Sequence, residues 1–318
     1  MSLSINLLPV NKGDCIHIRF EDETGAHNII IDSGPSVAAR AFRNLLKKIS
    51  DSNEELDLLC FTHIDDDHIG AATKVLSDQD LKCDFIHHIW LNCDTIESEK
   101  DDGRDRGSVT DMSVSKMLRL QQYLLDHNIS IENDIIQGKT LEVGTAEIYV
   151  LTPSAIDHEA YRKYLSEKLK KLPMSAEDKS TTNADSIALM LTYQDNQFLF
   201  TGDIHASELE NALNDTDKVK QIYCAQLPHH GSSRNLTEAL LDKMNTMRFM
   251  VSSERSVNRP SKETVLLLEQ YKPQIEKTLL CNFKLEYKIE DAEHLKCIDL
   301  CEESFNDSDE IQIVSEAY

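Results

Sequence analysis

The stretch from Phe61 to Gly70 places two histidines and three aspartates on a single turn. An apolar run of strand character, residues 56–61, leads into it, and residues 71–76 are typical of a helix. Three carboxylates beside two imidazoles repel one another unless a cation joins them. Imidazole and carboxylate together suit zinc, manganese or iron, whereas an acidic helix cap would explain only one aspartate. The stretch therefore predicts a metal site, with Asp66 pointing outward at the helix start.

Three more polar clusters follow strand-like segments elsewhere in the chain. They lie at Asp32, at Asp203 and at the pair His229–His230. Clusters so far apart in sequence can form one site only if a single domain brings the strand ends together. Because hairpins alternate with helices along the chain, we expect mixed sheets covered by helices.

The domain limits follow from where the apolar patterning stops. Strand-like and helical segments continue to about residue 300, after which the chain is acidic and polar. We therefore predict one domain over residues 1–300. Its core covers about 1–265, a C-terminal helix and strands cover 262–300, and an acidic tail covers 301–318.

Composition limits the classes of partner. The net charge of −23 repels phosphate backbones and argues against non-specific binding to duplex nucleic acid. It still permits a small anionic or single-stranded substrate, because bound ions set the field inside a metal-filled cleft. No apolar run approaches the roughly 20 residues of a membrane span, and no signal peptide is visible. Most of the eight cysteines lie in apolar runs without C-x-x-C spacing, which indicates reduced thiols and a cytoplasmic protein without a membrane partner.

Together these residues resemble the metallo-β-lactamase superfamily. The run from His63 to His68 is similar to the H-x-H-x-D-H signature of that family, Asp32 matches its first-strand aspartate and Asp203 its carboxylate motif. More narrowly, the chain resembles the ComEC-like hydrolase domain and its free-standing relatives, through short motifs that occur in the order of the family. The motifs are Gly13–Ile16, Ile31–Gly34, Thr62–Gly70, Asn183–Ile187, Phe200–Asp203 and Pro228–Ser232.

The resemblance implies a four-layer αββα sandwich, an α/β fold, with its site at one edge of the two sheets. It also implies metal-dependent hydrolysis, often of phosphodiesters and sometimes of esters or lactams, with two divalent cations, zinc or manganese. The implied metal ligands are His63, Asp65, Asp67, His68, Asp203 and His230, with Asp185 as a weaker candidate.

Within that site, His63 and Asp65 would hold one cation, and Asp203 would bridge the two cations. The other cation would be held by Asp67, His68 and His230. Two such cations can activate a water molecule and bind the leaving oxygen. Asp67 has an alternative catalytic role, which is to orient that water. Asp32 is either an orienting partner of a ligand or a turn former that ends its strand.

The two adjacent histidines have different implied roles. If they continued a strand, their side chains would alternate, so one would bind metal and the other would donate a proton or contact phosphate. The resemblance favours His230 as the ligand and leaves His229 as the catalytic residue. The following Gly231–Ser232 turn offers N–H groups and the Ser232 hydroxyl to an anion.

The chain departs from the family pattern at two places. Asp65 replaces the usual second histidine, which hardens the site and favours manganese without excluding zinc. No histidine supplies the third motif, where Asn183 and Asp185 stand instead, so one metal position is expected to be weaker. His158, the nearest histidine, is predicted to be a solvated helix residue.

Three functional hypotheses follow. The leading one is a metal-dependent phosphodiesterase or nuclease. The second keeps the fold but assigns an ester, thioester or lactam as substrate. The third is a metal-stabilised, non-catalytic regulatory protein that works with a protein partner.

Overall fold

Two mixed β-sheets lie face to face in the computed structural model, and helices cover both outer faces. The structure describes residues 2–11, 13–77, 83–93, 112–169, 181–252, 259–285, 293–308 and 311–316.

The strands are numbered in chain order. They are β1 (Leu3–Leu7), β2 (Ile16–Asp22), β3 (Gly25–Ile31), β4 (Leu56–Phe61), β5 (Ile86–Leu91), β6 (Thr140–Val143), β7 (Ala146–Thr152), β8 (Ala188–Tyr193), β9 (Asn196–Phe200), β10 (Ile222–Gln226), β11 (Arg248–Val251), β12 (Lys277–Cys281), β13 (Leu295–Asp299), β14 (Phe305–Ser308) and β15 (Ile311–Val314).

The helices are α1 (Ala39–Asp51), α2 (Asp66–Val75), α3 (Met112–Asp126), α4 (Ala155–Leu169), α5 (Thr181–Ala184), α6 (Ala206–Asn214), α7 (Glu238–Met244) and α8 (Lys262–Gln270).

The strand order explains why the polar clusters meet. The first sheet runs β14-β15-β1-β2-β3-β4-β5 and the second β13-β12-β11-β10-β9-β8-β7-β6. Strands β3 and β4 are parallel neighbours in the first sheet, and β9 and β10 are parallel neighbours in the second. Parallel strands end at the same edge of a sheet, and the edge beyond their carboxyl ends is where such folds build their sites. The four predicted clusters follow these four strands.

Three apolar cores separate four layers. One core joins the first sheet to α1, α2, α3 and α4, and a second fills the space between the two sheets. The third joins the second sheet to α6, α7 and α8. The order helix, sheet, sheet, helix confirms the αββα sandwich predicted from the sequence.

Strand β4 shows how the sequence directs its side chains. Leu58 and Cys60 face the core between the sheets, whereas Leu59 and Phe61 face the helices. All four side chains are fully buried, as expected for a central strand covered on both faces. The backbone is therefore held in a fixed register up to the point where the histidine-aspartate turn begins.

The predicted acidic tail requires a correction. Within residues 301–318, β15 pairs in parallel with β1 and antiparallel with β14. Ile311 and Ile313 alternate with the exposed Gln312, and both isoleucines are buried. The sequence reading was misled by the acidic composition and missed this short two-residue period.

We expect Ile313→Ala to destabilise the fold, because Ile313 is fully buried between the sheets. The loss in free energy of unfolding should be about 2–5 kcal/mol, the usual cost of truncating a buried isoleucine. Urea unfolding followed by circular dichroism measures it. Gln312→Ala, on the exposed face of the same strand, is the matched control and should change stability by less than about 0.5 kcal/mol. Equal stability of the two variants would show that β15 does not contribute to the core.

Candidate metal centre

Asp32 ties the end of β3 to the turn that follows β4. Its carboxylate accepts hydrogen bonds from the backbone N–H of Thr62 (2.8 Å) and from the Thr62 hydroxyl (2.8 Å). It is fully buried and has a positive φ of 60°. A non-glycine residue in this conformation is held there by its surroundings. Asp32 directly follows the last residue of β3, and its buried carboxylate also orients the neighbouring strand end.

His68 lies in the first turn of α2, directly behind this carboxylate. Its Nδ1 is 2.7 Å from Oδ2 of Asp32. Since a carboxylate accepts, Nδ1 carries a proton, and Nε2 is the nitrogen left to face a cation. That Nε2 is buried, has no hydrogen-bond partner among the described residues and lies 3.5 Å from Oδ1 of Asp203.

His63 has the same arrangement of ring nitrogens. Nδ1 is 3.1 Å from the Thr62 hydroxyl oxygen, whose own proton goes to Asp32, so the ring nitrogen donates. Nε2 is again buried, and no described residue forms a hydrogen bond with it. It lies 3.8 Å from Oδ2 of Asp65 and 3.8 Å from Oδ2 of Asp203. Both imidazoles of the turn thus direct Nε2 at Asp203.

Asp203 occupies the centre of the site. It follows β9 through Gly202, whose φ of 50° and close approach to Thr62 leave no room for a side chain. Oδ1 of Asp203 is 3.5 Å from His68 and 3.6 Å from His230, and Oδ2 is 3.8 Å from His63 and 3.5 Å from His229. Each oxygen of one carboxylate therefore faces its own pair of imidazoles.

The second histidine pair lies on a short 3-10 turn, Pro228–Gly231, and not on a continued strand. Both histidines adopt left-handed conformations, with φ of 51° at His229 and 53° at His230. Two consecutive residues of this kind cost stability and occur mainly at functional sites. The premise of alternating side chains is therefore wrong, because this turn and not a strand period sets their directions.

His230 is buried inside the cluster. Its Nε2 lies 3.6 Å from Oδ1 of Asp203 and 3.7 Å from Oδ2 of Asp67, and Nδ1 lies 3.8 Å from Oδ1 of Asp14. Neither ring nitrogen has a hydrogen-bond partner among the described residues. His230 thus has the position that the sequence assigned to a ligand.

His229 is partly exposed and is placed differently. Its Nε2 lies 3.5 Å from Oδ2 of Asp203, and Nδ1 lies 3.5 Å from Nδ2 of Asn183. An amide NH₂ can only donate, so Nδ1 accepts and Nε2 carries the proton. The imidazole therefore directs an N–H toward the centre of the site, as a proton donor would.

Asp14 is a member of the cluster that sequence reasoning did not assign. One oxygen accepts a hydrogen bond from Gln226 (3.0 Å), and the other is buried without a hydrogen-bond partner in the described part of the chain. Asp14, His68, Asp203 and His230 each offer an atom within 4.8 Å of the others. The Gly13–Asp14 step is built for this contact, since a Cβ on Gly13 would lie 1.9 Å from the carbonyl oxygen of Asp67. Only its membership of the Gly13–Ile16 motif could have drawn attention to it.

The other acidic residues of the turn divide into two groups. Asp65 and Asp67 face His63 and His230 respectively, at the edge of the cluster. The Ser113 hydroxyl also donates to Asp65 (3.2 Å). Asp66 turns away and pairs with Lys116 and the Ser36 hydroxyl, in keeping with its predicted outward direction.

Asp185 lies outside the group that the structure brings together. Its Oδ1 accepts from Nδ1 of His158 (3.0 Å), and the other ring nitrogen of His158 lies 3.1 Å from Asp134. Burial raises the pKa of Asp185 to about 6 against the lowering effect of His158. His158 is 6% exposed, so the prediction of a solvated residue is wrong. The helix begins at Ala155, and its first turn carries this histidine into the interior.

Ser232 is buried where the turn ends. Its backbone N–H donates to the carbonyl of His229 (3.0 Å), which closes the turn.

Charge in the cluster is balanced internally. Burial would raise the pKa of Asp203, but the neighbouring His230 and His68 hold it well below its usual range. Burial lowers the pKa of His230, yet Asp203 and Asp14 outweigh this and raise it to about 9. For Asp14 burial dominates and raises the pKa, although His230 and His68 oppose it. Protons on the imidazoles thus neutralise the charge of the carboxylates, as a bound cation would.

The donor set fits a divalent cation. Buried side-chain polar atoms are normally hydrogen-bonded. Here several that converge on one point have no such partner among the described residues, namely Asp14 Oδ1, His63 Nε2, His68 Nε2, Asp203 Oδ1 and both ring nitrogens of His230. Oxygen and imidazole nitrogen together suit zinc and manganese.

Comparison with known proteins supports the same assignment. The family model of the metallo-β-lactamase superfamily matches residues 10–82, a range that contains Asp14, Asp32 and the histidine-aspartate turn. ComE operon protein 3 of Bacillus subtilis (strain 168) is 19% identical over 290 residues, which are 86% of this chain and 31% of that protein. The chain thus spans less than a third of the length of that relative. These matches confirm the resemblance predicted from the motifs.

Solved structures show more distant likeness. CmlA, a diiron β-hydroxylase from Streptomyces venezuelae, has a TM-score of 0.44 at 11% identity, with 83% of this chain and 47% of that chain covered. ETHE1 from Myxococcus xanthus has a TM-score of 0.37 at 14% identity, with 86% and 92% covered. The fold assignment rests on the sheets and cores described above. Among the described residues, none of the helices has both the length and the apolar character of a membrane span.

We expect Asp14→Ala to weaken the binding of Mn²⁺ or Zn²⁺ by about tenfold or more, because it removes a buried carboxylate that faces His230. Calorimetric titration of chelator-stripped protein measures the dissociation constant. Asp66→Ala also removes one aspartate, at the start of α2, but from a residue that turns away from the cluster and pairs with Lys116, so the dissociation constant for metal should stay unchanged. An Asp14→Ala protein that binds metal as tightly as the unaltered chain would remove Asp14 from the site.

Proposed function

We propose that this metallo-β-lactamase-like chain is a metal-dependent hydrolase, and specifically a phosphodiesterase or nuclease for small or single-stranded anionic substrates. One observation carries the proposal. The two oxygens of Asp203 face two different pairs of imidazoles at 3.5–3.8 Å, the arrangement required of a carboxylate that lies between two cations.

The residues divide into two candidate binding positions around that carboxylate. His63 and Asp65 would hold one cation, and Asp67, His68 and His230 the other, with Asp14 at the second position. A cation pair lowers the pKa of water and stabilises charge on a leaving oxygen. Since Asp185 is paired with His158, the first position has fewer protein donors and should be the weaker one. Manganese or zinc suits this mixture of oxygen and nitrogen donors.

Other side chains of the protein would orient the metal ligands and donate a proton to the leaving oxygen. Asp32 and Thr62 orient His68 and His63 through Nδ1, so that Nε2 of each ring points inward. His229 directs an N–H into the site from its partly exposed side, where a leaving oxygen would need a proton. Asp67 retains two possible roles, as a ligand or as the group that orients the attacking water.

The net charge of the chain restricts which anionic substrates can reach the site. A net charge of −23 disfavours long duplex nucleic acid, so the anion must be small enough, or single-stranded, to enter the site. We also propose a cytoplasmic location without a membrane partner, supported by eight cysteines that form no disulfide. A protein partner belongs to the regulatory alternative, in which the chain would bind metal and hydrolyse no substrate.

We expect Asp203→Ala to reduce hydrolysis of bis(p-nitrophenyl) phosphate by at least about a hundredfold, because no other carboxylate reaches both imidazole pairs in the described part of the chain. Chelation should abolish the activity, and Mn²⁺ or Zn²⁺ should restore it. Release of p-nitrophenol measures the rate. Asp217→Ala, at an exposed residue, is the matched control for loss of one negative charge.

The same assay separates the competing functions. A p-nitrophenyl ester run in parallel identifies an esterase if it is hydrolysed faster than the diester. Full metal occupancy without turnover of either substrate would support the regulatory alternative. Full diester activity in Asp203→Ala would disprove the proposed mechanism.

A further inference from the structure

Asp65 has the position of a helix cap, but its side chain does not act as one. Its backbone is extended (φ −68°, ψ 151°), and its carbonyl accepts the N–H groups of His68 (2.9 Å) and Ile69 (3.0 Å), which begin α2. An aspartate at such a position usually accepts an N–H of the first turn through its carboxylate as well. Among the described residues of that turn, none donates to the Asp65 carboxylate in this way. The carboxylate is therefore directed elsewhere.

The two oxygens of Asp65 have different neighbours. Oδ1 accepts a hydrogen bond from the Ser113 hydroxyl (3.2 Å), whereas Oδ2 lies 3.8 Å from Nε2 of His63. His63 and Asp65 form the position assigned above to the weaker cation. Because the Asp65 side chain is 37% exposed, packing alone does not fix its orientation. Ser113 thus holds one oxygen from α3 while the other faces the cation position.

Helix α3 is itself fixed against the turn. Val114 and Met117 are fully buried in the core between the first sheet and its helices. The Lys116 ammonium pairs with Asp66, the first residue of α2. Ser113 and Lys116 are three residues apart, so they lie on the same face of α3. The Ser113 hydroxyl is therefore presented to the turn by a helix that is anchored through both its apolar and its charged side chains.

We propose that Ser113 is a positioning residue of the metal centre, whose hydroxyl holds Asp65 in the orientation that binds the weaker of the two cations. The inference rests on the proposed function and adds to it a residue from outside the motifs. Hydrogen-bonded partners behind metal ligands commonly tune the affinity for the metal. Without the hydroxyl, the Asp65 carboxylate can turn back and cap α2, which is the usual role of an aspartate at a helix start.

Three variants test the contact. Ser113→Ala removes the hydroxyl, and Ser113→Thr keeps it. Ser115→Ala is the matched control, because it removes a hydroxyl from the same helix at a residue two positions further on, which does not share the face of Ser113. For each chelator-stripped protein we would measure the dissociation constants of both Mn²⁺ ions by calorimetric titration. Thermal unfolding of the metal-free proteins is the second measurement.

We expect Ser113→Ala to raise the dissociation constant of the weaker Mn²⁺ by about tenfold, the lower end of the usual effect of losing a partner that orients a ligand. The tighter Mn²⁺ should be unaffected. Ser113→Thr should retain most of the affinity and Ser115→Ala all of it. Metal-free Ser113→Ala should unfold at an equal or higher temperature, because the released Asp65 carboxylate can cap α2. A merely structural role would instead lower the unfolding temperature and leave both dissociation constants unchanged.

Two results would overturn the proposal. One is a metal affinity that Ser113→Ala leaves unchanged, whether the protein binds one Mn²⁺ or two. The other is an equal loss in Ser115→Ala, which would indicate a general disturbance of α3. The titration does not depend on turnover. If the unaltered protein binds Mn²⁺ but hydrolyses no diester, the proposed function fails while the role of Ser113 is still decided.

Discussion

A buried carboxylate at the end of β3 organises the rest of the metal centre. Asp32 accepts hydrogen bonds from the backbone and hydroxyl of Thr62 and from the ring of His68. These contacts fix the turn between β4 and α2 and set the tautomers of both its imidazoles. A carboxylate behind a metal-binding histidine is a general means of fixing the ring and increasing its basicity. Because the group is fully buried in a left-handed conformation, the surrounding sandwich must compensate for its cost.

The sandwich compensates for the cost of the buried Asp32 because it holds the ends of its strands rigidly. Parallel pairs in both sheets terminate at one edge, and apolar cores on both faces of each sheet hold their register. The sheets deliver the site in two halves, with the aspartate-histidine turn from the first and Asp203 with the His229–His230 turn from the second. Hydrogen bonds join the halves: the backbone N–H of Ile187 donates to the carbonyl of Thr62 (2.9 Å), and the side-chain amide of Gln226 donates to the carboxylate of Asp14 (3.0 Å). Buried nitrogen and oxygen atoms that lack hydrogen-bond partners among the described residues can lie this close together only because the packed sheets hold them in place.

The electrostatic design has an inner and an outer part. Inside, carboxylates and imidazoles balance one another, and their protonation compensates for charges that water cannot reach. Outside, the partly exposed Asn183 and His229 lie 3.5 Å apart. In the proposed hydrolase, the inner groups would hold cations and the outer groups would receive the charge of the substrate.

The sequence by itself determined the sandwich, through the family resemblance that its short motifs carry, because each motif is a local pattern at a strand end. The structure brings together the candidate ligands that this resemblance implied, which are His63, Asp65, Asp67, His68, Asp203 and His230. Tertiary structure alone decided the rest. It brought Asp14 beside Gln226, 212 residues away, paired Asp185 with His158 instead of the cluster, and drew the acidic C-terminal segment into the first sheet. The physical reason is the same in each case. A lone carboxylate or a short strand carries no periodicity of its own, so its partner is fixed only when distant segments pack together and exclude water.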